Sequence, residues 1–244
     1  MRTLTTRPLV VAHRGASAYA PENTIAAFEL AIAQGADVLE FDVHLSRDDQ
    51  PVVIHDFTLD RTTNGRGPVR ELTVQELKRL DAGGWFHRKY AGQQIQTLHE
   101  ILERFRGRVR FGVELKAGSD FYPGIEERVI ATLQIYQATE HTLVLSFDHP
   151  ALGRVRAMDP GIRTGALVAH RPLDPEAVAP GIATALCPVA HLLTEADARR
   201  ALAAGLEVFV WVPNDPALMD RLIAWGVTGI VTDRPDLLRS RFSR

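Results

Sequence analysis

The stretch LVVAHRGASAYAPENTIAAFELAIAQGADVLEFDV, residues 9–43, decides the fold. LVVAH at 9–13 is a short apolar run with the length and β-branched content of a strand. ENTIAAFELAIAQG at 22–35 then repeats its apolar residues at helical spacing, and Gly35 stands where a C′ residue closes a helix. VLEFDV at 38–43 returns to the strand pattern. Strand, helix and strand in this order point to a parallel sheet with helical crossovers.

Working outward, the same alternation continues to the end of the chain. Further strands are read at 109–115, 142–147, 163–168, 183–188, 207–212 and 229–232, which brings the count to eight. The pattern predicts an α/β fold, a (β/α)8 TIM barrel in a single domain over 1–244, and a chain of 244 residues is the usual length for one. One additional strand, PVVIHD at 51–56, follows the second after only SRDDQ, which is too short for a parallel crossover. It is expected to fold back as a hairpin. The segment from about 57 to 97 holds NGRGP, AGGW and one helical stretch, TVQELKRLD, and reads as a small insertion at the barrel mouth.

Lysine and arginine number 28 against 30 acidic residues, so the net charge of −2 supplies no overall field for nucleic acid or an anionic membrane. A negative substrate must be met locally. The single cysteine, Cys187, excludes an intrachain disulfide and is expected to be a small core residue. The start MRTLTTRPLVV lacks the marks of a signal peptide, and no apolar run reaches the roughly 18 to 20 residues of a membrane span. The expectation is a cytoplasmic protein with no nucleic-acid partner and no stable membrane insertion.

Residues two apart in a strand share a face, so Glu40 and Asp42 project together while Leu39, Phe41 and Val43 point the other way. Glu114 and Lys116 pair likewise on a later strand. All four stand at strand C-termini, where barrel enzymes carry their sites. Three converging carboxylates repel one another unless something positive neutralises them. A divalent cation does so simply; oxygen-only ligands suit Mg²⁺ or Ca²⁺, and no CxxC or HExxH pattern suggests zinc. The competing reading pairs each acid with a lysine or arginine as ordinary barrel interior. His13 ends the first strand and His55 closes the hairpin strand, which places two proton-transfer groups at the same mouth. The remaining histidines, His44 among them, carry no such expectation. Arg14 could grip phosphate in bidentate fashion and Lys116 as a point charge, or both could be salt-bridge partners of the acids.

HRG at 13–15, PENT at 21–24, EFDV at 40–43, VVIHD at 52–56, ELK at 114–116, SF at 146–147 and TDRPD at 232–236 occur together and in order. On these motifs the chain resembles the glycerophosphodiester phosphodiesterases from about residue 9 to residue 238. The resemblance implies a β/α barrel with a small insertion after the HD motif. It implies a small-molecule glycerophosphodiester as substrate, hydrolysed to glycerol 3-phosphate and an alcohol. It also implies Glu40, Asp42 and Glu114 as ligands of a divalent metal and His13 and His55 as acid and base. Arg14 and Lys116 become phosphate or glycerol contacts, Trp211 a wall of the glycerol pocket, and Glu22 a rim residue. Where the family's tryptophan is commonly followed by Thr-Val-Asn, this chain reads Val212, Pro213, Asn214. A barrel that binds phosphodiesters without turnover would show damage at one of these positions, and none is damaged. With aromatics at 7% of the chain, no aromatic cluster is expected for the leaving alcohol.

Overall fold

The computed structural model describes residues 7–171, 173, 175 and 182–242; residues 1–6, the start of the stretch read for a leader, lie outside the described residues. The strands in chain order are β1 (Leu9–His13), β2 (Val38–Leu45), β3 (Pro51–Val53), β4 (Gln96–Thr97), β5 (Arg110–Leu115), β6 (Thr142–Ser146), β7 (Arg163–Val168), β8 (Ala185–Pro188), β9 (Glu207–Trp211) and β10 (Gly229–Thr232). Eight of them pair in parallel in the order β1-β10-β9-β8-β7-β6-β5-β2, and the β1–β2 ladder closes the barrel. The expected strands form with ends shifted by one or two residues.

Alternation sorts the side chains. Val11, Val38, Leu145, Leu167, Phe209 and Val231 fill the barrel interior. Their neighbours Val10, Leu39, Phe41, Val113, Val144 and Val208 face the surrounding helices. Helix α1 (Ile25–Ala33) starts where the Thr24 hydroxyl accepts from the Ala27 amide and ends at Gly35, whose φ of +82° is left-handed. Its Phe28 meets Phe41 and Phe105 edge-on at 5.9 and 6.0 Å, and Phe41 meets Phe111 at 6.2 Å. Truncating one such buried ring to alanine costs about 3–5 kcal/mol. No helix among the described residues is long and apolar enough to cross a membrane.

β2 changes partner along its length. Residues 38–40 pair with β1, whereas Val43, His44 and Leu45 pair antiparallel with Val53, Val52 and Pro51. The hairpin is therefore present, but β3 stops at Val53, so His55 stands two residues beyond it rather than at its end. A third strand, β4, pairs antiparallel with β3 and was not foreseen, because QT is too short to show a period. Helix α2 (Val74–Leu77) and the loops around it enclose a separate apolar cluster of Val52, Ile54, Leu59, Val69, Leu77, Ala82 and Ile95.

Candidate active site at the barrel mouth

The chain turns sharply after His13. Gly15 has φ +84°, and a Cβ there would lie 2.7 Å from the Ala27 backbone, so only glycine fits. Arg14 itself sits at φ +55° and turns its backbone N–H toward Glu40 Oε2, 3.0 Å away.

Glu40, Asp42 and Glu114 each present a carboxylate oxygen, and these atoms lie within 4.8 Å of one another. They are 3%, 0% and 8% exposed. Two cations serve the three acids: Arg14 Nε stands 3.3 Å from Asp42, and Lys116 Nζ stands 3.4 Å from Asp42 and 2.7 Å from Glu114. Salt-bridge partnership is thus real but incomplete. Burial opposes the Asp42 charge, yet Arg14 and Lys116 outweigh it and hold its pKa at about 2. Burial and the neighbouring acids push Glu40 well above the ordinary carboxylate range and Glu114 up to about 7. Asp42 Oδ1 is buried with no hydrogen-bond partner. A hard divalent cation fits this all-oxygen set, because it would engage that oxygen and favour the ionised form of both glutamates.

The two histidines are held alike. His13 Nδ1 bonds Asp233 Oδ1 at 2.7 Å, and His55 Nδ1 bonds Asp56 Oδ1 at 2.6 Å. A carboxylate accepts only, so each Nδ1 carries a proton and each Nε2 is left for chemistry. Both rings line a cavity of about 100 Å³ that also touches Arg14, Glu40, Glu114 and Lys116. The two orienting carboxylates were not singled out from the sequence. Asp56 is adjacent in HD and could have been; Asp233 stands in the TDRPD motif, but its pairing with His13, 220 residues away, has no signal in the sequence. Ser17 and Asn214 also donate to Asp233, and Arg61 of the insertion bridges Glu22 and Asp56 at 2.8 Å.

Trp211 and Phe147 form the cavity's aromatic side, meeting edge-on at 5.6 Å, and the Trp211 indole donates to the Cys187 carbonyl at 2.7 Å. Cys187 is buried in the barrel interior, and burial pushes its thiol far up, as expected of a core residue. Phe57, Phe121 and Tyr122 form an aromatic cluster against His44, with Phe57 43% and Phe121 42% exposed, and none of the three lines the cavity that holds His13 and His55. They are scattered in sequence and only the hairpin and the loop after β5 unite them.

The chain is similar to known proteins along nearly its whole length. Residues 13–237 match the glycerophosphoryl diester phosphodiesterase family. A glycerophosphodiester phosphodiesterase of Caldanaerobacter subterraneus is 40% identical over 95% of this chain and 96% of its own. The crystal structure of one from Agrobacterium tumefaciens superposes with a TM-score of 0.84 at 34% identity, covering 96% of this chain and 99% of that one. An Oleispira antarctica phosphodiesterase, solved with the product sn-glycerol-3-phosphate, gives 0.87 at 33% identity and covers 98% of both chains. The chain belongs to the glycerophosphoryl diester phosphodiesterase family.

Proposed function

We propose that the protein hydrolyses glycerophosphodiesters to glycerol 3-phosphate and an alcohol, with a divalent cation on Glu40, Asp42 and Glu114 and with His13 and His55 as acid and base. The observation that carries this reading is the convergence, on one cavity, of Glu40 and Glu114 from the acidic trio and of two histidines whose Nδ1 atoms are each held by a carboxylate. When bound, the cation supplies positive charge that polarises the phosphoryl oxygens. Arg14 and Lys116 keep N–H donors beyond those their acid partners use, and these hold the phosphate. One histidine takes the proton of the attacking hydroxyl as its oxygen bonds to phosphorus. The other enters with Nε2 also protonated and gives that proton to the leaving alkoxide as the ester P–O bond breaks.

Trp211 and Phe147 offer a face to the three-carbon unit, and the leaving alcohol points toward solvent and the insertion. Discrimination by loose contacts is weak, because specificity requires different transition-state binding for each competitor. Choline, ethanolamine and glycerol diesters should then show kcat/KM values within roughly a factor of 100, about 2.7 kcal/mol. A methyl group in place of glycerol should cost more than any change of leaving alcohol. A kinetic panel of these diesters, with and without chelator, tests the reading; a methyl diester as good as the glycerol diester, or full turnover in chelator, contradicts it.

A further inference from the structure

We infer that His44 is a positioning residue for His55, its imidazole fixing the His55 backbone carbonyl and thereby the ring at the cavity. The inference rests on the acid/base reading of His55 given above. β3 ends at Val53, and the last backbone bond from this segment to β2 is that of the Ile54 amide to the Asp42 carbonyl, 3.1 Å. Past that point the His55 carbonyl turns to a side chain, accepting from His44 Nε2 at 2.9 Å. A carbonyl cannot donate, so Nε2 carries the proton and Nδ1 presents a lone pair. The Tyr122 hydroxyl donates to that lone pair at 2.8 Å. Both nitrogens of a fully buried ring are thereby committed, and one tautomer alone satisfies them.

The ring is also held by its neighbours. Phe57 lies edge-on to it at 4.8 Å and Tyr122 at 5.5 Å. His55 is therefore supported twice: Asp56 orients its Nδ1, and His44 anchors its main chain. Tyr122 belongs to the loop that follows β5, the strand carrying Glu114, so this chain of two bonds ties that loop to the proton-transfer group. Side chains that orient a reacting group act through geometry, and a displacement of about 1 Å can cost 10²-fold in rate.

The test compares His44→Phe, which keeps a ring and removes both bonds, with His44→Gln, whose amide can still donate to the carbonyl. Thermal unfolding monitors folding, and kcat and KM are measured on a glycerophosphodiester. His44→Phe should lower kcat by about 10- to 100-fold with KM little changed, and His44→Gln should restore most of the loss. In a His55→Ala background the same His44→Phe change should lower kcat no further, because the effect passes through that ring. An equal loss in both backgrounds, or a folded His44→Phe with wild-type kcat beside an impaired His55→Ala, overturns the positioning role alone. A His55→Ala variant with wild-type kcat overturns the acid/base reading and this inference with it. Should His44→Phe fail to fold, Tyr122→Phe removes a single hydroxyl and should lower kcat in the same His55-dependent way; unchanged kcat there overturns the proposal.

Discussion

Metal binding at the acidic trio should compete with protons, and the structure sets the size of the effect. Glu114 has a pKa raised to about 7 before a cation binds, and Glu40 is raised as well. A cation needs both as carboxylates, so its affinity should fall as pH drops below 7. At pH 5, two units lower, protonation of Glu114 alone weakens binding by about 100-fold, or about 2.7 kcal/mol. Suppose Mg²⁺ or Ca²⁺ is fixed at a concentration about 100 times its Kd at pH 8. Binding to the folded state then adds about 2.7 kcal/mol, which for a chain of this size raises Tm by about 5–11 °C. At pH 5 the same concentration roughly equals Kd, the gain shrinks to about 0.4 kcal/mol, and the Tm shift falls to about 1–2 °C. Thermal unfolding with cation and with chelator, at both pH values, measures this directly. A cation-induced shift of equal size at pH 5 and pH 8, or one that survives the combined Glu40→Gln, Asp42→Asn and Glu114→Gln changes, would refute the reasoning.

His13→Ala and His55→Ala should each lower kcat by about two to four orders of magnitude with the fold intact by circular dichroism; near wild-type kcat withdraws the role of that residue. Asp233→Asn should cost about 10- to 100-fold in kcat by releasing His13 Nδ1, and rescue of wild-type rate by the variant would show the pair to be idle. The same substitution has a stability signature. Burial opposes the Asp233 charge, but His13, Asn214 and Ser17 outweigh it and hold the pKa at about 2. A depressed pKa stabilises the fold above the ordinary value near 3.8 and loses that contribution as pH falls toward 2, so acid titration of wild type should show about 2 kcal/mol that Asp233→Asn lacks. Gly15→Ala should destabilise by about 3 kcal/mol or more, since it combines left-handed strain with a clash; a Tm within a degree of wild type would contradict the close approach to Ala27.

What the sequence disclosed followed from local rules. Period-two alternation in VLEFDV put Glu40 and Asp42 on one face while Phe41 met the helices, and the shortness of SRDDQ foretold the hairpin. The barrel strands were visible because each is a run of apolar residues bounded by helix or turn. Hidden were the features that exist only when distant segments meet. Asp233 reaches His13 only once β10 lies beside β1, and Arg61 reaches Glu22 only once the insertion folds over the loop after β1. Gln96 and Thr97 form a strand because β3 offers an edge, not from any pattern of their own. His44 looked like any lone histidine in a strand; its two partners come from a loop bend and from Tyr122, 78 residues away.

The separate apolar cluster of the insertion has a consequence for local opening. Its interior, Val52 through Ile95, shares no member with the two clusters of the barrel. The ties that cross between them include the short ladder on β2, Arg61 on Glu22, the Tyr90 hydroxyl on the Tyr19 carbonyl and Gln93 on the Ala26 amide. Such an arrangement divides a protein into cooperative units that exchange their amide hydrogens at different free energies. His55 and Asp56 stand at this boundary, tied to β2 through the Ile54 amide and His44, whereas His13, Glu40, Asp42 and Glu114 stand on the barrel strands. Amide protection should therefore be lost in the insertion before the strands beneath it, and the proposed catalytic set is complete only while both units are closed.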